Sequence, residues 1–295
     1  MSRRRPWIPL GVISRRRVWI SLAVAALASL GGASAASADT AQSSNWAGYA
    51  VHRSGVQFKK VSGTWTQPQA TCTPGQATYS AAWVGIGGFD VDSPALEQIG
   101  TESDCTVSGR AVSSAWFELV PAASRAVRLT VKPGDRMRAG VTITGGEVTL
   151  TLTNLTRHRS FTKRLHPAVV DTTSAEWILE APSVCSSSSS CQTLPLADFG
   201  STGFTAAAAT STSGHRGTID DRRWETTRIR LAATGRAFVS DSSTPAAAAV
   251  PSSLSASGSA FTVTYRAGAT LAPTTPLHPA FVAGDRLTRS DITAR

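Results

Sequence analysis

The sequence predicts an all-β protein, an antiparallel β-sandwich, and three observations support this fold class. A glycine pair lies between two alternating segments and marks a hairpin. Short runs rich in β-branched and aromatic residues recur along the chain, separated by Gly, Pro and Ser. Helix signals are sparse. Many short strands with turn residues between them are typical of a sandwich.

The clearest strand pair is the hairpin at Gly145-Gly146. Apolar and polar residues alternate in 141–144 and in 147–152, and the two glycines accept the positive φ of a tight turn. Seven further runs have strand composition, namely 56–66, 79–86, 115–120, 127–131, 175–179, 228–231 and 261–265. The alanine runs 206–209 and 246–249 are short and flanked by Thr, Ser and Pro, so we expect loops there.

Residues 1–38 have the layout of a secretory signal peptide. Arginines at 3–5 and 15–17 precede an apolar run over 18–30, and A-x-A cleavage patterns follow at 33–35 and 36–38. About 13 apolar residues are too few to span a bilayer, which needs about 20. We therefore expect a secreted protein with no membrane association after cleavage. The general secretory route and the twin-arginine route both stay open.

Length and charge limit the remaining possibilities. We expect one β-sandwich domain over 39–266 and a poorly ordered tail over 267–295. The leader contains six of the 29 Lys and Arg residues and none of the 19 acids, so the remainder carries a net charge of only about +4. Basic residues do not cluster among aromatics, and we expect no nucleic-acid partner. We also expect a monomer.

Four cysteines, Cys72, Cys105, Cys185 and Cys191, form an even set, which in an exported chain indicates two disulfides. Three connectivities are open, and we favour Cys72–Cys105 with Cys185–Cys191, since the latter closes a loop of five serines. Zinc is the alternative, but the chain has no C-x-x-C pair and no histidine at ligand spacing from a cysteine. We expect neither a metal nor a cofactor.

The familiar catalytic patterns G-x-S-x-G and H-E-x-x-H are absent. A serine triad is defined by geometry and stays open. The positive signal is a neutral amide, Gln98, and a carboxylate, Glu176, a combination that can hydrolyse a peptide bond without serine, cysteine or metal. In a strand, Glu176 and Ile178 share one face and Trp177 the other, so Trp177 suits the core. Glu176 then lies on the outer face, where a solvated glutamate would be the ordinary outcome.

Eight motifs in order resemble those of the glutamic peptidases, also called eqolisins, and the bacterial branch more than the fungal one. The likeness runs from about Ser43 to Tyr265. The motifs are S-N-W-A-G-Y (44–49), V-S-G-T-W (61–65), A-W-V-G-I-G-G (82–88), E-Q-I-G-T (97–101), A-W-F-E (115–118), K-P-G-D (132–135), A-E-W-I-L-E (175–180) and L-A-D-F-G (196–200).

The resemblance implies a concanavalin-like sandwich of two large bent sheets with a substrate groove on one face. It also implies an acid-favouring endopeptidase acting on polypeptides. Gln98 and Glu176 match the family's catalytic pair, Glu176 activating water as general base and then acid, and Gln98 stabilising the oxyanion. Trp83, Glu102 and Glu118 match supporting or substrate-binding positions.

One departure from the family pattern concerns position 87. The fungal pattern W-V-G-I-D-G is W-V-G-I-G-G here, so Gly87 stands where an acid is expected. We expect either that Asp90 takes the place of that acid or that the site lacks the interaction.

Two other function classes are compatible with the sequence. A non-catalytic secreted sandwich that binds carbohydrate or peptide is the first, because fold does not fix function and six tryptophans follow the leader. A serine hydrolase is the second, and a reagent for active-site serine would distinguish it from a glutamic peptidase.

Overall fold

The computed structural model describes residues 39–90, 92–187, 190–232, 247–268 and 275–276. The expected signal peptide, 1–38, and most of the expected tail, 267–295, lie outside the described residues. Of the tail, Thr275–Pro276 forms a short strand beside Ala41 and Gln42. The described residues form strands and no helix. This all-β architecture confirms the predicted fold class.

One layer is built around the strand order β7-β6-β5-β4-β11-β2-β16-β1, with β19 beside β1. Its strands are β1 (Asp39–Ser43), β2 (Trp46–His52), β4 (Ala81–Gly87), β5 (Leu96–Cys105), β6 (Ala111–Val120), β7 (Arg125–Ala126), β11 (Ser174–Glu180), β16 (Glu225–Ala232) and β19 (Thr275–Pro276). Neighbours pair antiparallel, except that β1 runs parallel to β16 and β19.

The second layer has the order β17-β18-β14-β3-β8-β9-β10, with β15 beside β14. Its strands are β3 (Phe58–Thr66), β8 (Arg136–Thr144), β9 (Glu147–Asn154), β10 (Arg159–Leu165), β14 (Ser201–Ser211), β15 (Arg216–Gly217), β17 (Ala247–Pro251) and β18 (Phe261–Ala267). A short pairing of β16 with β17 continues the ladder from one layer into the other. A separate hairpin consists of β12 (Ser183–Ser187) and β13 (Ser190–Thr193).

The core lies between the two layers and is fixed by tryptophans, as expected for Trp177. The indole of Trp177 on β11 donates to the Ser62 carbonyl oxygen on β3 at 2.8 Å. The indole of Trp65 on β3 donates to the Thr101 hydroxyl on β5 at 2.9 Å. Each bond runs from one layer to the other, so the inner faces are held by polar contacts as well as by apolar packing.

The hairpin at Gly145-Gly146 is confirmed as the β8–β9 turn, with both glycines at positive φ. The strand expected over 127–131 is wrong. Val127 and Val131 are buried, but the amide of Leu129 bonds the carbonyl of Val127 and interrupts any ladder. Beyond the bond from the Val127 amide to the Ala115 carbonyl of β6, side chains of this segment therefore alternate inward and outward without a continuous ladder.

The loops expected at the alanine runs are also wrong. Residues 206–209 lie within β14, and 247–249 lie within β17. Ala206 has a φ of 52° at an irregularity where β14 shifts register against β3. Ala206 is exposed, but 207–209 and 248–249 are buried, and small residues fit there because they pack against the core, an effect that composition does not show.

The Cys72–Cys105 disulfide is confirmed, and it ties the end of β5 to the segment before β4. Cys191 is disulfide-bonded as well, and in the backbone register of the β12–β13 hairpin it lies opposite Cys185. Among the described residues, no helix has the length and apolarity that crossing a membrane requires.

Candidate active site

Four neighbouring strands carry Glu176, Gln98 and Glu118 in a single row. Glu176 on β11 pairs with Gly85 on β4, Gly85 pairs with Gln98 on β5, and Gln98 pairs with Glu118 on β6. Residues opposite each other in a ladder point to the same face. We call these four positions the Glu176 row. Adjacent strands lie about 4.8 Å apart, so the backbones of Glu176 and Gln98 are about 9–10 Å apart.

Gly85 places no side chain at the centre of the Glu176 row. A Cβ at this position would lie 2.9 Å from Leu96 Cδ1 and 2.9 Å from Trp83 Cζ3. Leu96 and Trp83 therefore approach closely over the glycine, and residue 85 itself adds no side chain between Glu176 and Gln98.

Glu176 is fully buried, contrary to the ordinary expectation of a solvated glutamate. Neither of its carboxyl oxygens has a hydrogen-bond partner among the described residues. Burial raises the pKa of Glu176 well above 4.5, and the nearby Ser174 hydroxyl opposes this only in part. The negative charges of Asp171, Glu97 and Asp90 add to the increase in pKa. The free protein therefore favours a protonated Glu176, a form that burial does not penalise.

Gln98 is oriented by Glu118. Its Nε2 donates to Glu118 Oε2 at 2.7 Å, and its Oε1 has no hydrogen-bond partner within the described part of the chain. A side-chain amide has two N–H donors, so this bond leaves the second Nε2 hydrogen for another acceptor. Glu118 thereby determines which end of the amide carries the donors.

Trp83 separates the Glu176 row from a second row on the same face. Its indole nitrogen donates to Glu180 Oε2 at 2.8 Å, and its ring meets Trp46 edge-on at a centroid distance of 5.0 Å. Glu180 also accepts from Asn45 at 3.1 Å. Glu180 lies across Ala81 from Glu102, which accepts a bond from the Ser114 hydroxyl. Trp83, Glu102 and Glu118 therefore share the face of Glu176 and Gln98.

Asp90 does not join the row. It is exposed near the start of the β4–β5 connection and makes no side-chain hydrogen bond with a described residue, although its charge reaches Glu176. A different acid lies beside Gly87, namely Asp171. A Cβ built at Gly87 would lie 2.7 Å from Asp171 Cβ.

Sequence reasoning did not single out Asp171 or Glu97. Asp171 shows one local signal, the D-T-T turn before β11, in which Asp171 Oδ1 accepts from the amide of Thr173 at 2.9 Å. Glu97 alternates with Gln98 and faces the other side of the sheet. Burial, followed by the charge of Asp171, raises the pKa of Glu97 to about 8. Both residues depend on contacts between distant segments.

Comparison with known proteins finds relatives of this chain. Aspergillopepsin-2 of Aspergillus niger is 32% identical over 192 residues, which cover 57% of this chain and 65% of that protein. The chain thus spans just under two thirds of the length of this relative.

Two solved structures share the fold. Scytalido-glutamic peptidase with a transition state analog inhibitor is 27% identical with a TM-score of 0.60, over 76% of this chain and 98% of that one. SCP-B, a member of the eqolisin family in a complex with the tripeptide Ala-Ile-His, is 26% identical with a TM-score of 0.57 and the same coverage. The model of the peptidase A4 family matches residues 44–250, most of the chain. The chain therefore belongs to the peptidase A4 family.

Proposed function

We propose that this chain is a secreted endopeptidase in which Glu176 activates water and Gln98 stabilises the oxyanion. The observation that carries the proposal is the register of the Glu176 row. It sets a carboxyl and an amide on one face, two strands apart, with only a glycine between them. SCP-B is similar over most of the chain and holds a tripeptide, which supports a polypeptide substrate.

In the proposed reaction, ionised Glu176 takes a proton from water while the water oxygen attacks the scissile carbonyl carbon. The carbonyl oxygen becomes an oxyanion, and the free Nε2 hydrogen of Gln98 donates to it. Glu176 then passes its proton to the amine as the C–N bond breaks, leaving a carboxylic acid and an amine. Glu118 keeps the amide oriented throughout, because its carboxylate accepts the other Nε2 hydrogen.

Two features act on the pH optimum in opposite directions. The family resemblance implies an acid-favouring enzyme. The raised pKa of Glu176 means that the base becomes ionised at a higher pH than an ordinary glutamate. We propose an optimum on the acid side of neutrality, with the ascending limb of the profile above pH 4.5, the ordinary glutamate value.

Secretion is supported by two independent observations. The segment 1–38 has the layout of an export signal. The Cys72–Cys105 disulfide is of the kind that persists in oxidising compartments. Cleavage of the leader and release of the chain therefore belong to the proposal.

The carbohydrate-binding alternative receives little support from the aromatic residues. All six tryptophans after the leader are at most 5% exposed, namely Trp46, Trp65, Trp83, Trp116, Trp177 and Trp224. A sugar platform requires an exposed aromatic face, so packing is the better explanation of these residues.

The proposal is tested by peptide hydrolysis at several pH values with wild type, Gln98→Ala and Glu176→Gln. We expect Gln98→Ala to lower kcat by about a hundredfold or more, since one oxyanion donor is worth about 2.7–4 kcal/mol of barrier. Glu176→Gln should abolish turnover. Glu147→Gln, at a half-exposed glutamate in the other layer, is the matched control and should resemble wild type.

Near-normal turnover by a folded Glu176→Gln variant would contradict the mechanism. A reagent for active-site serine should leave wild-type activity unchanged, and inactivation by it would favour the serine hydrolase alternative.

A further inference from the structure

Asp171 connects two segments of the active-site layer through one buried carboxylate. It precedes β11 by three residues, and its side chain is almost fully buried. Asp171 Oδ1 accepts from the amide and the hydroxyl of Thr173 at 2.9 and 2.8 Å. Asp171 Oδ2 accepts from the amide of Gly88 at 3.3 Å and from the Ser93 hydroxyl. Four donors and no acceptor surround the group, which suits a carboxylate.

The two segments lead to the two residues of the proposed catalytic pair. Thr173 lies at the entrance to β11, which carries Glu176. Gly88 and Ser93 lie in the β4–β5 connection, which leads into β5 and Gln98. The Ser93 hydroxyl oxygen also lies 2.8 Å from the carbonyl oxygen of Ala95, immediately before β5, so its single hydrogen is shared between Asp171 and Ala95. A single side chain therefore links the starts of both strands.

The space beside β4 explains why this carboxylate comes from residue 171. Gly87 has a φ of +84°, and a Cβ there would lie 2.9 Å from the carbonyl oxygens of both Ala95 and Asp171. Backbone atoms cannot move aside as a flexible side chain can, so residue 87 has no room for a side chain. Asp171 occupies the position that such a side chain would take.

We propose that Asp171 is a positioning residue of this site and supplies the carboxylate that position 87 lacks. It holds the β4–β5 connection against the entrance to β11. Gln98 and Glu176 thereby stay aligned across Gly85. This inference rests on the proposed peptidase function. It replaces the expectation that Asp90 would serve in that place.

Asp171 also contributes to the electrostatics of Glu176, which gives the proposal a second readout. Its charge raises the pKa of Glu176. Removing that charge should therefore lower the pKa of Glu176 and move the ascending limb of the kcat profile to lower pH. Other titratable groups on the elements around Glu176 stay in place, namely Glu180 on β11, Tyr49 and His52 on β2, Glu225, Arg228 and Arg230 on β16, Glu97, Glu102 and Asp104 on β5, Glu118 on β6 and Asp90 in the β4–β5 connection.

The decisive variant is Asp171→Asn, measured as kcat and KM against pH on a fluorescence-quenched peptide. An amide cannot satisfy four donors, because its NH2 group replaces one oxygen and then faces the two donors of that oxygen. We expect kcat to fall by about tenfold or more, since small misplacements of reacting groups are costly. KM should stay within about twofold, and the ascending limb should move to lower pH.

Two further variants make the result specific. Asp92→Asn removes an exposed acid from the β4–β5 connection. It should leave kcat, KM and the ascending limb of the pH profile unchanged. Ser93→Ala removes the hydroxyl donor to Asp171 but keeps the Asp171 charge. We therefore expect kcat to fall while the ascending limb of the pH profile stays at the same pH. It tests the bracing role even if Asp171→Asn does not fold.

The inference fails if folded Asp171→Asn matches Asp92→Asn in kcat and in pH profile. It also fails if Ser93→Ala, used in its place, retains full kcat. A wild-type chain that cleaves no peptide at any pH removes both this inference and the proposed function. An active wild type that is indifferent to Asp171 removes this inference alone.

Discussion

Gly85 lies between Glu176 and Gln98 in the row, and its missing side chain leaves room above it for Leu96 and Trp83. Its neighbours Leu96 and Trp83 already fill the remaining space above it. The arrangement of the Glu176 row therefore depends on a residue that has no functional group. In the sequence this glycine is one of 24 and has no distinguishing signal.

We predict that Gly85→Ala folds but loses most of its activity. The new methyl would meet the flexible ends of Leu96 and Trp83 at 2.9 Å, so these side chains must shift within the row. We expect kcat to fall by about tenfold or more, measured together with Tm. Gly203→Ala on β14 is the matched control, because a Cβ there has 3.7 Å to its nearest neighbour. Equal kcat in the two variants would contradict the role given to Gly85.

At the scale of the element, β11 uses its two faces for different purposes. Glu176 and Glu180 point to the active-site face, whereas Trp177 and Leu179 enter the core between the layers. Trp177 fits closely against Gly63 on β3, where a Cβ would lie 2.8 Å from the Trp177 Cδ1 atom. Packing on one face therefore fixes the position of the carboxylate on the other.

We predict that Trp177→Phe destabilises the protein while the folded fraction keeps its activity. The change removes the indole bond to the partly buried Ser62 carbonyl, and a hydrogen bond of this kind contributes about 0.5–1.5 kcal/mol. Urea unfolding measures the free energy, and kcat per folded molecule is the second readout. A folded variant with unchanged stability, or with kcat reduced tenfold, would contradict this division between the faces.

The sequence predicted strands well where alternation was strong and poorly where residues were small. The β8–β9 hairpin follows from period-two alternation and two glycines. Residues 206–209 gave no such signal, because alanine is compatible with loops, helices and crowded strands alike. Only packing against the core determines that this run forms a strand. Residues 127–131 show the opposite case, in which alternation reflects burial without a ladder partner.

The candidate site was predictable only in part. The motifs identified Gln98 and Glu176, and alternation assigned Glu176 to the face opposite Trp177. The register that aligns the two residues over Gly85 depends on pairing between strands about eighty positions apart, which one sequence does not specify. Asp171 could not be found for the same reason, because its partners Gly88 and Ser93 are distant in the chain.

At the scale of the whole molecule, the buried acids make stability depend on pH. The pKa of Glu97 is raised to about 8 from 4.5, so between these values the folded state keeps a proton that the unfolded state releases. Stability therefore falls as pH rises through this window, by roughly 1.4 kcal/mol per pH unit.

Asp135 acts in the opposite direction and at lower pH. Burial alone would raise its pKa, but bonds from Arg157, Asn154 and the Lys132 amide outweigh this and lower it below 3.8. Its contribution to stability is present above pH 3.8 and is lost as pH falls through the lowered value. Together with Glu97, it places the greatest stability in mild acid.

We predict that Glu97→Gln flattens the decline in stability between about pH 4.5 and 8. The variant should be more stable than wild type at the upper end of the window, because it has no buried charge to form there. Urea unfolding at a series of pH values measures the slope. Glu147→Gln, at a half-exposed position, is the control and should follow wild type. Parallel curves for Glu97→Gln and wild type would refute the linkage.

The Glu176 row lies within the hydrogen-bonded interior of the sheet, away from the strand ends. Both neighbours of β4 bond to it along nearly its whole length, so loosening of turns other than the β4–β5 connection braced by Asp171 does not separate the acid from the amide. Loss of activity on heating and collapse of the tertiary structure should accordingly be one event. Variation in the loops can then adjust which polypeptides enter without disturbing the reacting groups.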